Sequence, residues 1–242
     1  MNAHRHLAPL YWVGTRRMAA EFPPLSHALD EPNGLLAIGG DLGTERLLAA
    51  YRRGIFPWYA PGQPILWWSP DPRAVVIPGE IHVSRSLAKR MRKTRFEASF
   101  DRDFAGVIDA CAAPRAPDSD TWITADMRTA YRALHAQGYA HSIEVRIDDR
   151  LVGGLYGVAL GCAFFGESMF SRERDGSKVA LVSACRWLEG WGYALLDCQI
   201  HTPHLTSMGA RDLRRDEFAA RLAGLVDRAP HTQAWRHQDC QP

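Results

Sequence analysis

His141-Ser142-Ile143-Glu144-Val145-Arg146-Ile147 and Leu151-Val152-Gly153-Gly154-Leu155-Tyr156-Gly157-Val158 decide the fold. Both runs are rich in β-branched and aromatic residues, and only the polar turn Asp148-Asp149-Arg150 separates them, which predicts a hairpin. The apolar run at 162–170 follows as the next strand. Toward the C-terminus, a helix is predicted over 177–189, stopped by Gly190 and Gly192, then a strand over 194–199 and a last helix over 217–226. Toward the N-terminus lie a strand at 74–77, a helix from the cap Ser84 to about Lys93, an alternating strand at 96–100 and a short helix at 104–112. Thr124 caps a further helix that stops near Gly138. The expected class is α+β with an antiparallel centre.

The first seventy residues are different: proline and glycine recur from Phe22-Pro23-Pro24 to Pro70-Asp71-Pro72. One helix is predicted there, over 44–53, with Thr44 as cap and Gly54 as stop; the rest is expected to be compact but loop-rich. Pro70-Asp71-Pro72 marks a boundary between residues 1–71 and 72–242. The chain of 242 residues, 46% of them hydrophobic, can build a proper core. A net charge of +2 means that a nucleic-acid partner needs a local basic patch. No window approaches the ~18 apolar residues of a membrane span, and the N-terminus lacks a signal-peptide core. Five cysteines without a Cys-x-x-Cys pair argue against a disulfide framework or zinc knuckle. A soluble, reduced, cytoplasmic protein is expected.

Ala163-Phe164-Phe165-Gly166-Glu167-Ser168-Met169-Phe170-Ser171-Arg172 sets a carboxylate in an aromatic strand. Burying an unpaired charge costs several kcal/mol, so Glu167 needs a partner or a job. In Leu196-Asp197-Cys198-Gln199, period two puts Asp197 and Gln199 on one face, and Cys198 on the other as a small core residue. Glu167, Asp197 and Gln199 outline an active cleft; the structural alternative is a network pairing Glu167 with Arg172 or Lys178.

Arg85, Lys89, Arg92 and Lys93 form one stripe of a helix, and Arg90 and Arg95 add to the local charge. Like charges at i,i+4 are unfavourable without an anion, so a phosphate backbone is weighed against a merely solvated face. Core packing is the default for Tyr51, Trp58, Trp67, Trp68 and Trp122, but Trp58 sits in a Pro/Gly-bounded loop, where aromatics stack unpaired bases. Phosphate loops, dinucleotide fingerprints and nucleophile elbows are absent, so the substrate is expected to arrive already activated. His201-x-x-His204 fits no standard zinc spacing, Pro203 interrupts any helix there, and neither metal nor cofactor is expected.

Taken together, these residues resemble the leucyl/phenylalanyl-tRNA–protein transferase family. The likeness runs through Glu31-Pro32-Asn33-Gly34, Gly39-Gly40-Asp41-Leu42, Arg53-Gly54-Ile55-Phe56-Pro57-Trp58 and Trp67-Trp68-Ser69-Pro70-Asp71-Pro72-Arg73. It continues in Thr121-Trp122-Ile123-Thr124, His141 to Val145, Val152 to Gly157, Gly166 to Arg172 and Asp197-Cys198-Gln199. The resemblance implies a small N-terminal domain and a C-terminal GNAT-like acyltransferase domain. It implies transfer of Leu, Phe and, less well, Met from aminoacyl-tRNA to proteins with N-terminal Arg or Lys, marking them for proteolysis. It places Tyr51, Trp58 and Trp122 on the 3′ adenosine and the aminoacyl end. Leu155 and Phe164 fall on the side-chain pocket, with Ala184 where relatives often carry Phe; Arg85, Lys89, Arg92 and Lys93 fall on the tRNA acceptor stem. A monomer is expected.

The implied chemistry is aminolysis of an ester, which runs downhill without ATP. Glu167 and Asp197 are expected to attract the cationic chain start, with Asp197 orienting Gln199 as a hydrogen-bonding group and not a base. Two rivals stand beside this: an RNA-end binder without chemistry, and a hydrolase built on Cys198 with His201 or His204.

Overall fold

The computed structural model describes residues 11–14, 22–114 and 121–236. In the N-terminal part the chain runs β1 (Tyr11–Val13), β2 (Leu35–Gly39), α1 (Thr44–Tyr51), β3 (Phe56–Pro57) and β4 (Leu66–Trp68), and the four strands form a sheet in the order β1-β2-β4-β3. The loop-rich expectation for this region missed that sheet, because strands of two to five residues are too short for alternation to show. Helix α1 also starts differently: Gly43 is its cap and Thr44 its first residue, and Asp41 Oδ1 accepts the Gly43 N–H at 2.8 Å.

The rest of the described chain runs β5 (Arg73–Val76), α2 (Arg85–Lys93), β6 (Glu97–Phe100), α3 (Phe104–Ala112), α4 (Ala125–Ala136), β7 (Ala140–Ile147) and β8 (Arg150–Leu160). Then come β9 (Ala163–Ser171), α5 (Gly176–Gly190), β10 (Leu195–Gln199), α6 (Pro203–Ser207), β11 (Arg211–Leu213) and α7 (Arg215–Ala223). The class is α+β, as the sequence predicts. Caps set the helix starts: Ser84 Oγ accepts from Leu87 N, Asp103 Oδ1 from Gly106 N and Thr124 Oγ1 from Met127 N. The β7–β8 turn places Asp148 and Asp149 at φ 48° and 59°, the paired left-handed backbone that suits the twist of a tight hairpin. Pro203 does not interrupt a helix; it opens α6, where its missing N–H costs nothing.

The seven strands order as β11-β5-β10-β9-β8-β7-β6. All neighbours are antiparallel except β9 and β10, which α5 joins as a parallel crossover. Helices cover both faces, so neighbouring residues on one strand serve different cores. Tyr156, Val158 and Phe165 pack toward α1, α3 and α4, whereas Leu155, Ala159 and Phe164 pack toward α5.

Candidate active site

The parallel pairing of β9 and β10 ends at Phe165 opposite Asp197. Beyond that point each strand carries a bulge. In the β8–β9 ladder Tyr156 faces Ser168 while Gly157 faces Gly166, leaving Glu167 as the extra residue. In the β10–β5 ladder Asp197 faces Val75 while Gln199 faces Ala74, leaving Cys198 extra, and Gln199 takes φ 63°. A bulge bends its strand and re-aims its side chains. The two strands therefore part, and Glu167 and Gln199 meet across the gap: Gln199 Nε2 donates to Glu167 Oε1 at 2.8 Å.

A cleft of about 980 Å³ opens at this gap. Glu167 and Gln199 line it together with Leu155, Phe164, Trp58 and Trp122. Trp58 is 40% exposed and packs at 5.7 Å against Trp68, whose indole N–H donates to the Trp58 carbonyl at 2.6 Å.

Behind the cleft, Tyr131 Oη on α4 donates to Glu167 Oε2 at 2.8 Å and is itself hydrogen-bonded to Tyr51 Oη. Glu167 is only 6% exposed, and burial pushes its carboxyl up to about 7. Hydrogen bonds from Tyr131 and Tyr51 pull against that rise, Asp197 adds to it, and Arg73 opposes it. The Tyr156 hydroxyl, also buried near this carboxylate, has no hydrogen-bond partner among the described residues. Among the described residues Glu167 forms no hydrogen bond or ion pair with Arg172, which donates to the Leu151 carbonyl, or with Lys178, which pairs with Asp175; its partners are neutral donors.

Asp197 lies elsewhere than expected. It is fully buried and takes a bidentate clasp from Arg73, Nε to Oδ1 at 2.8 Å and Nη2 to Oδ2 at 2.7 Å. The Arg73 guanidinium also donates to the Gly54 carbonyl at 3.0 Å and lies between the rings of Phe56 and Phe218. Its charge spent on Arg73, Asp197 cannot present itself to an incoming cation. Its link to the cleft is the Gln199 backbone N–H, which donates to Oδ1 at 2.9 Å.

Two further residues expected on the pocket are not there. Tyr51 is wholly buried under Glu167, and Ala184 is in the core on the inner face of α5. Cys198 has a thiol driven well above its ordinary pKa by burial and by the Asp197 charge, the opposite of an activated nucleophile. His201 is held by Asp212 at 3.2 Å and Thr206 at 3.0 Å. Among the described residues no three His, Cys, Asp or Glu side chains cluster as metal ligands.

On α2, Arg85, Lys89, Arg92 and Lys93 are all exposed, and Leu87 anchors the opposite face. Among the described residues none of the four pairs with an acid. Arg90, expected to add to the local charge, instead pairs with Glu173 at 2.9 Å and Asp175 at 3.7 Å. No helix of the described residues is long and apolar enough to cross a membrane.

Sequence reasoning missed Tyr131 and Arg73. The signal for Tyr131 was its place on the buried stripe of α4 with Met127 and Leu134, where a deep hydroxyl needs a partner.

A splayed sheet with a carboxylate–carboxamide pair set in the wall of a large cleft belongs to an enzyme. A family model described as leucyl/phenylalanyl-tRNA protein transferase matches residues 75–223, and the model of that family's N-terminal domain matches residues 40–71. The leucyl/phenylalanyl-tRNA–protein transferase of Pseudomonas fluorescens is 55% identical over 226 residues, 93% of this chain and 99% of that protein. That of Thiobacillus denitrificans is 62% identical over 213 residues, 88% of this chain and 93% of that protein. Among solved structures, that of L-PGS from Bacillus licheniformis superposes with a TM-score of 0.38 at 12% identity, over 74% of this chain and 57% of that one, a likeness too distant to inform the site. The chain belongs to the leucyl/phenylalanyl-tRNA–protein transferase family, whose members carry aminoacyl groups from tRNA to protein.

Proposed function

We propose that this enzyme moves Leu, Phe and, less well, Met from aminoacyl-tRNA to the α-amino group of proteins beginning with Arg or Lys, marking them for N-degron proteolysis. The observation that carries this reading is the Glu167–Gln199 pair on the cleft wall, 2.8 Å apart, with the carboxyl poised at about 7. An α-amino group titrates at roughly 7.7–8.0, so Glu167 is matched to relieve the incoming ammonium of its proton. Because the Gln199 amide N–H₂ faces the carboxylate, its Oε1 remains an acceptor for an amine N–H. The freed amine attacks the ester carbonyl; the C–N bond forms, the C–O bond to ribose breaks, and the proton reaches the departing ribose oxygen through the neighbouring 2′-hydroxyl. No ATP enters, since an ester becomes an amide.

The remaining residues divide by position. Leu155 and Phe164 form the apolar slot for the donor side chain, and Trp58 and Trp122 stack the 3′ adenosine. Tyr51 acts from behind, through Tyr131 and Glu167. Ala184 acts only as a packing residue of α5. Asp197 orients Gln199 through its backbone, and the α2 stripe takes the acceptor-stem phosphates. On this reading residues 1–71 are a small N-terminal domain and 72–242 a GNAT-like transferase domain, working as a cytoplasmic monomer.

Incubating the protein with charged Leu-tRNA and peptides that differ only in their first residue tests the proposal. Leucine is expected on Arg- and Lys-started peptides and not on an Asp-started one. Equal transfer to all three, or to none, refutes it.

A further inference from the structure

Residues 224–236 lie beyond the stretch the family model matches, yet they are tied to the sheet. The Leu225 carbonyl accepts the Cys162 N–H at 2.9 Å, and the His231 N–H donates to the Trp191 carbonyl at 2.8 Å. The segment also carries Trp235, whose indole N–H donates to Tyr193 Oη at 2.8 Å. Its backbone has φ 57°, a left-handed conformation that a bulky residue holds only where contacts enforce it.

Those contacts centre on a patch of the sheet left bare at Gly157. Gly157 has no side chain, and a Cβ there would come within 2.7 Å of the Phe164 ring, so that ring lies over bare backbone. His141 is the β7 partner of Gly157, and Trp235 stacks on His141 with ring centres 3.9 Å apart and planes 8° apart. The same indole stacks on Phe164 at 5.6 Å and 27°, and packs against Trp191 at 4.8 Å. Phe164 lines the cleft; Trp235 does not.

We infer that Trp235 is a positioning residue that fixes the depth of the donor pocket by backing Phe164. This rests on the reading of Leu155 and Phe164 as the donor slot. Phe164 is wholly buried and the half-buried indole of Trp235 fills the space behind its ring, which has no second place to go while the indole is present. Replacing Trp235 by Ala leaves a void into which the Phe164 ring can sink, deepening the slot. A deeper slot serves a phenylalanyl side chain better than a leucyl one. Apolar pockets discriminate such neighbours by roughly 10–200-fold.

The test compares kcat/KM for Leu-tRNA and Phe-tRNA in the wild-type protein, Trp235→Ala and Trp235→Phe, with an Arg-started acceptor and urea unfolding of each protein. The Ala variant is expected to raise the Phe:Leu ratio by on the order of tenfold. The Phe variant, which keeps a ring behind Phe164, is expected to hold the wild-type ratio. A purely structural role lowers both donors together, so an Ala variant with an unmoved ratio overturns the inference. Should the Ala variant fail to fold, Trp235→Leu takes its place with the same expectation and the same refutation. Wild-type protein that transfers neither donor sinks the functional reading, and this inference with it.

Discussion

Replacing Glu167 by Gln should stabilise the protein at neutral and alkaline pH while removing its activity. The folded-state carboxyl titrates at about 7 against 4.5 in the unfolded chain. Between those values the folded protein holds a proton that the unfolded chain has released, so stability falls as pH rises through the window and levels off above it. The gap of about 2.5 units corresponds to about 3 kcal/mol. Gln at 167 does not titrate, and it leaves no polar group orphaned. Its carbonyl oxygen can accept from Tyr131, and its N–H₂ can donate to Gln199 once that amide turns over. Urea unfolding of wild type and Glu167→Gln from about pH 4 to about pH 8 reads the difference directly. The variant should gain about 3 kcal/mol relative to wild type across that range, with most of the change below pH 7. Transfer should meanwhile rise with pH in the wild type as Glu167 deprotonates, and be lost in the variant at every pH. A stability difference that stays flat with pH would show that Glu167 is not a strained carboxylate, and the argument for a base in the cleft would go with it.

Arg73→Ala should cost roughly 3–5 kcal/mol in a denaturant titration, because it strands the buried Asp197 carboxylate; a loss below 1 kcal/mol would mean the pair is not buried as described. Gln199→Glu sets two carboxyls in hydrogen-bonding reach, so one must stay protonated. Its kcat at pH 7 should collapse, and the pH–rate midpoint should move upward; retained activity would restore a base role to position 199. Removing the four charges of Arg85, Lys89, Arg92 and Lys93 as alanines should raise KM for aminoacyl-tRNA and leave kcat unchanged. It should also flatten the slope of log affinity against log salt by roughly 3–4, and an unchanged slope would return the stripe to plain solvation.

Most of the fold after Pro72 was readable because its elements are long enough to show a period; β11, with three residues, and α6, with five, were not. The hairpin of β7 and β8 has eight and eleven residues around a two-aspartate turn, and α2 and α4 announce themselves with the caps Ser84 and Thr124; the Asp103 cap of α3 went unread. The N-terminal sheet was not readable, since β3 has two residues and β4 three. Pro203 misled for a different reason. Proline forbids a helix interior, and nothing local to His201-Thr202-Pro203-His204 says whether it begins a helix or breaks one.

In the site, the sequence rule that a buried acid needs a partner or a job selected Glu167, yet the same rule applies to Glu144. The structure separates them by their donors. Glu144 is closed off by the hydroxyls of Ser99 and Ser142 and the backbone N–H groups of Arg102 and Asp103, and it stays paired with Gly154 in its ladder. Glu167 has fewer donors and a cleft in front of it. What set their fates apart is the bulge that makes Glu167 an unopposed residue of its ladder, paired with the second bulge at Cys198. Period-two reasoning assumes regular strands, so it put Asp197 and Gln199 to one use. The irregularity instead leaves Asp197 buried on Arg73 and turns Gln199 to Glu167. Residue types marked where the cleft sits; the broken ladder, a property of paired strands and not of either alone, decided which acid lines it.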